Sequence, residues 1–157
     1  MASDGTGGLV YTKQVEGAPH VFAARYNGNL WSAPVRVDWA NKFEAGEPCI
    51  SAGRDGRLLV AWTTPVATVK GKIRRGLMVA SLGPDVAEFS PATVVDPNVG
   101  EEPGVAPALA GVGTGKATIA YRVITENFSS SSTHLAVQLH PGDVLAEIRV
   151  ARLNGDR

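Results

Sequence analysis

Short apolar runs, each closed by Gly, Pro, Asn or Asp, punctuate the whole chain. The central stretch from Pro48 to Asp96 holds four of them: Cys49 to Gly53, Leu58 to Trp62, Leu77 to Leu82 and Ala92 to Asp96. Runs of this length, rich in Val, Leu and Ile and bounded by turn residues, predict β-strands. Leu58 to Trp62 is apolar at every position, which predicts a strand covered on both faces. Val144 to Leu153 also admits a helical reading, because Ala, Glu, Leu and Arg form helices well. Its match to upstream runs favours a strand.

The pattern recurs. Ala61-Trp62 matches Ala120-Tyr121 downstream and Tyr11 upstream. Val21-Phe22-Ala23-Ala24 matches Leu77-Met78-Val79-Ala80, and Val35-Arg36-Val37-Asp38 matches Thr93-Val94-Val95-Asp96. Ser51-Ala52-Gly53 aligns with Leu109-Ala110-Gly111. A period of roughly 55 to 60 residues with four strands per repeat predicts β-propeller blades. The expected fold is therefore all-β: about three four-stranded antiparallel blades, half of a β-propeller, in a single region spanning 1–157. Blade one covers about 1–38, blade two about 47–96 and blade three about 105–157. Naming the strands of a blade A to D, blade one lacks strand A. It has B at Leu9 to Lys13, C at His20 to Tyr26 and D at Ala33 to Asp38. Blade three has A at Pro107 to Val112, B at Ala117 to Ile124, C at His134 to Leu139 and D at Val144 to Ala151.

Three blades do not close a ring, since propellers have roughly four or more. Either the chain is part of a longer one that supplies the remaining blades, or it self-associates. A homo-oligomer, with a dimer favoured, brings six blades together. In that reading a spare segment, Val150 to Gly155, supplies the missing strand A of the partner's blade one.

Composition narrows the function classes. With 44% hydrophobic and 19% charged residues among 157, the chain folds around a core. Lys+Arg and Asp+Glu are 15 each, and zero net charge argues against a nucleic-acid partner. The single cysteine, Cys49, excludes an intrachain disulfide and reads as a small buried strand residue. No apolar run reaches the ~20 residues of a membrane helix, so no membrane partner is expected. Residues Met1 to Gly5 lack the basic and apolar stretches of a secretory signal. No cofactor motif occurs, and none is expected.

The stretch Ala24-Arg25-Tyr26-Asn27-Gly28-Asn29-Leu30-Trp31 resembles the Asp-box hairpin, Ser-x-Asp-x-Gly-x-Thr-Trp, of sialidase-like (BNR) propeller repeats. Gly28 and Trp31 fall on the motif's Gly and Trp, while Ala24, Tyr26 and Leu30 replace its Ser, Asp and Thr. The resemblance implies blades with this hairpin between strands C and D. It also implies, for a true sialidase, an arginine triad on inner strands. Strands A of blades two and three carry no arginine, and Arg25, Arg122 and Arg149 lie on strands C, B and D, where they read as solvated or blade-edge charges.

Function is then expected in the loops, which vary while the frame repeats. In propellers the D-to-A and B-to-C loops share one face. The D-to-A loops are acidic, with Glu44 and Glu47 in one and Glu101 and Glu102 in the other. One B-to-C loop is basic, Lys70 to Arg75, contributing Lys72 and Arg74; another is long and polar, contributing Asn127. Among the tryptophans, Trp62 reads as core, Trp31 as hairpin packing, and Trp39 as exposed and able to stack on a sugar. His20, His134 and His140 read as surface residues. The expectation is a non-catalytic binding or scaffold module with a carbohydrate or protein ligand at the loop face. The alternatives are part of a sialidase-like glycoside hydrolase, with catalytic residues outside this chain or across a dimer, and a propeller lectin.

Overall fold

The computed structural model describes residues 1–53, 56–100, 105, 107–111, 116–125 and 145–153. The described chain is all-β. Its strands are β1 (Gly7–Val15), β2 (Ala18–Tyr26), β3 (Val35–Arg36), β4 (Gly46–Ala52), β5 (Leu58–Val69), β6 (Lys72–Leu82), β7 (Thr93–Gly100), β8 (Ala108–Gly111), β9 (Ala117–Thr125) and β10 (Leu145–Leu153). They form three antiparallel sheets, ordered β1-β2-β3, β4-β5-β6-β7 and β8-β9-β10.

Cross-strand pairing makes the repeat concrete. In sheet one Tyr11 faces Phe22 and Leu9 faces Ala24. In sheet two Trp62 faces Met78 and Val60 faces Ala80. The third strand follows: Ala23 pairs with Val35, as Val79 pairs with Thr93. Sheet three continues the series, because Ala108 pairs with Ala120 as Cys49 pairs with Ala61. These pairings align Ser51 with Ala110, one residue from the sequence alignment of Ser51 with Leu109. A one-residue slip moves each side chain to the opposite face, and only the observed register keeps the apolar set on matching faces.

Two connections are tighter than the sequence implied. β1 and β2 join through Glu16-Gly17, and β5 and β6 through Lys70-Gly71. All four residues have φ between 52° and 85°, the positive-φ pair of a two-residue hairpin turn that matches strand twist. The stretch Lys70 to Arg75 is thus no loop. Its residues from Lys72 onward belong to β6, in an arm that continues past a bulge between Pro65 and Ala67. Val66, Val69 and Ile73 on this arm are all exposed.

Sheet three differs from expectation at its far edge. Of the run Val144 to Ala151, read as an outer strand D, residues Leu145 to Ala151 pair instead directly with β9, Arg149 facing Tyr121. β10 therefore occupies the place of strand C, equivalent to β6. The expected strand C, His134 to Leu139, lies outside the described residues. Residues 150–153 belong to β10, so they are not a spare segment free to complete a partner's blade.

The sheets pack face to face in chain order, and β4 adjoins β1 on one side and β8 on the other. One core lies between sheets one and two, built on Val21, Ala23, Val37, Val60, Trp62 and Ala80. A second lies between sheets two and three, built on Ala61, Leu77, Val79, Ile119, Tyr121 and Val123. β5 feeds both, because its alternate residues face opposite sides, and Val60, Ala61 and Trp62 are each fully buried. The approach at Gly8 is close: a Cβ there would lie 2.5 Å from Ile50 Cδ1.

Candidate functional site

The loop 37–45, between β3 and β4, lies against the base of the β5–β6 arm. Asn41 is the joint. Its Nδ2 donates to Thr64 Oγ1 at 2.6 Å, and its Oδ1 accepts from Phe43 N at 3.0 Å. Thr64 Oγ1 in turn donates to Glu44 O at 2.9 Å. The loop thus meets strand β5 at Thr64, six residues before the turn at Lys70-Gly71.

Between loop and arm lies an open cleft of about 270 Å³, walled by Ala40, Asn41, Phe43, Trp62, Thr64, Pro65, Val66 and Met78. Phe43 is 60% exposed at its rim. Trp62 forms its floor with no solvent exposure, and its indole N–H has no hydrogen-bond partner. Trp39, just outside, is 53% exposed and donates from Nε1 to Phe89 O at 3.3 Å.

The residues singled out from sequence divide. Trp39 is exposed beside the cleft, as expected. Glu44 pairs with the buried Arg75, Oε1 to Nη1 2.8 Å. Glu47, at φ 51°, turns its Oε2 to accept from Val105 N at 2.9 Å, tying sheet two to the start of sheet three. Lys72 and Arg74 are exposed on the arm, facing Val69 and Ala67 across it. Glu101, Glu102 and Asn127 lie outside the described residues, as do His134 and His140. Asn41 and Phe43 were missed. The signal was a large aromatic following Trp39-Ala40-Asn41-Lys42 in a segment with no strand pattern.

Charged groups that read as solvated are built into the frame. His20 is buried, with Nδ1 2.7 Å from Asp38 Oδ2, because Asp38, two residues past β3, turns inward onto it. Arg36 donates from Nε to Asp38 Oδ1 at 3.0 Å and from Nη2 to Asn41 O at 3.0 Å. At the matching position of sheet two, Asp96 Oδ2 accepts from Tyr121 Oη at 3.0 Å and from Arg149 Nη1 at 2.9 Å. Burial, and then the Asp96 carboxylate, push the Tyr121 phenol up to about 12. The carboxylates of Glu147 and Asp96 raise Arg149 despite its desolvation. The Arg25 guanidinium donates to the carbonyls of Gly83 and Pro84. Burial lifts the Cys49 thiol to about 11, so the thiolate is scarce at neutral pH.

The segment Ala24 to Trp31 turns at Asn27-Gly28, where Asn27 Oδ1 accepts from Asn29 N and Leu30 N. Trp31 packs on Tyr26 with ring centroids 5.1 Å apart and remains 52% exposed. Compared with protein-family models, with curated proteins and with solved structures, the chain finds no match.

Proposed function

We propose that this chain is a non-catalytic binding module of the propeller type, and that its ligand is a protein segment inserting an apolar side chain between loop 37–45 and the β5–β6 arm. The cleft carries this reading. Its walls are mostly aromatic and aliphatic, and apart from the buried Trp62 N–H their polar side-chain atoms are paired: Asn41 with Thr64 and Phe43 N, and Thr64 with the Glu44 carbonyl. A sugar ring needs donors and acceptors around its hydroxyls, whereas an apolar anchor needs a dry pocket with a polar rim. The frame supports the non-catalytic part, since Arg36, Arg75 and Arg149 are each committed to a carboxylate. The shared register of the three sheets supports the propeller arrangement, and the Asn27-Gly28 hairpin with Trp31 supports a kinship with sialidase-like repeats.

Selection from a displayed peptide library tests the reading. Enriched peptides should share an aromatic or aliphatic anchor, and Phe43→Asp should abolish their binding while the fold persists. Glycan-array binding lost on Trp39→Ala would replace the reading with a lectin. Turnover of a fluorogenic sialoside would replace it with a hydrolase.

A further inference from the structure

The two outer faces of the stack are built like its two inner seams. On sheet three, Ile148 and Val150 pair with Arg122 and Ala120. They hold the places of Leu77 and Val79, which pair with Thr63 and Ala61 in sheet two. Leu77 and Val79 are 0% and 7% exposed because sheet three covers them; Ile148 and Val150 are 68% and 62% exposed. On sheet one, Leu9 and Tyr11 hold the places of Val60 and Trp62, which sheet one itself buries completely. Leu9 is 51% exposed, and Tyr11 lies stacked on Phe22 at 6.0 Å with no sheet over it among the described residues. Of three aromatics at one repeat position, Tyr11, Trp62 and Tyr121, the latter two are sealed under a preceding sheet.

We infer that the occupant of both faces is a second copy of this chain. Sheet three of one copy covers sheet one of the other, with Ile148 and Val150 over Leu9 and Tyr11, as Val21 and Ala23 lie over Val60 and Trp62 within the chain. The contact is head to tail, so it propagates, and two copies close it into a ring of six sheets. The match is between faces: one offers the aliphatic pair Ile148 and Val150 from β10, the other an aliphatic and an aromatic, Leu9 and Tyr11, from β1, as Val21 and Ala23 meet Val60 and Trp62, and Leu77 and Val79 meet Ile119 and Tyr121, inside. This interface lies apart from the cleft and stands whether or not the cleft binds a peptide.

Light scattering after gel filtration of the 157-residue chain tests it. The expected mass is twice 16.4 kDa, held over a wide range of concentration. Val150→Glu and Leu9→Lys each place a charge on an exposed position, so circular dichroism should be unchanged. Each should weaken association about a hundredfold. The two in one chain, carrying opposite charges on meeting faces, should associate about tenfold more tightly than either alone. A folded monomer overturns the inference. So does mass that grows without limit, which means the contact does not close. Loss of association with Val150→Glu but not with Leu9→Lys also overturns it, because sheet three would then be pairing with its own copy.

Discussion

The seam between sheets one and two and the seam between sheets two and three use the same repeat positions and fill them differently. In the second, the aromatic is Tyr121, and its hydroxyl reaches the aspartate of the preceding sheet, Asp96. In the first, the aromatic is Trp62, whose N–H has no partner. The equivalent aspartate, Asp38, takes His20 and Arg36 from its own sheet instead. At this repeat position the second seam is tied across by a polar bond, while the first is packed with apolar side chains and takes its polar ties elsewhere, from Arg25 to the Gly83 and Pro84 carbonyls and from Asn41 to Thr64. The ion pairs differ modestly in exposure too: Asp38 and Arg36 are 0% and 29% exposed, Asp96 and Arg149 11% and 37%. A buried polar network raises the cost of losing one member, because the survivors are left unpaired in low dielectric.

The comparison yields a ranked series. Trp62→Ala should cost the most, about 4 kcal/mol in denaturant unfolding, as a large buried side chain whose loss leaves a cavity. Asp38→Ala should follow at about 3 kcal/mol, stranding His20 and Arg36. Asp96→Ala should cost less, about 2 kcal/mol, since water reaches Arg149 and screens the pair. An equal or reversed order for the two aspartates would show that the exposed arginine matters more than burial. The smallest effect is in alkali. The Tyr121 phenol is raised in the fold relative to the unfolded chain. Its contribution is therefore complete below pH ~10 and is lost as pH rises toward 12. Unfolding at pH 9 and 11 should show a stability loss that Tyr121→Phe removes. The first seam has no such group at the matching position, and Trp62 substitutions should leave the alkaline slope unchanged.

Much of this frame was legible. Strand type and place followed from short apolar runs and turn residues, and every expected run within the described residues is at least partly strand. The match of Asp38 with Asp96 was visible as Val-Arg-Val-Asp against Thr-Val-Val-Asp, and both proved to be buried seam acids. Pairing partners were not legible. Nothing in Val144 to Ala151 distinguishes a strand beside β9 from one a place further out, because periodicity fixes which face a residue takes and not which neighbour it bonds. His20 read as a surface residue because its partner lies 18 positions away. Lys70 to Arg75 read as a loop because its charges masked a hairpin turn at Lys70-Gly71. The cleft was not legible: Trp39, singled out from sequence, lies outside its walls, and Phe43 and Asn41 gain meaning only from Thr64 and Val66 on the arm opposite.

A chain whose hairpins share one register faces a hazard during folding, since β6 could zip onto β1 as easily as onto β5 over the common pairs. The bulge between Pro65 and Ala67 separates them. Beyond it β5 and β6 add two more pairs, Thr68 with Ile73 and Val69 with Lys72, that β1 and β2, ending at the pair Val15 and Ala18 that matches Ala67 and Arg74, are too short to offer. The extension works as a key: only the correct partner engages its full length, so the arm that borders the cleft also keeps the repeats from trading strands.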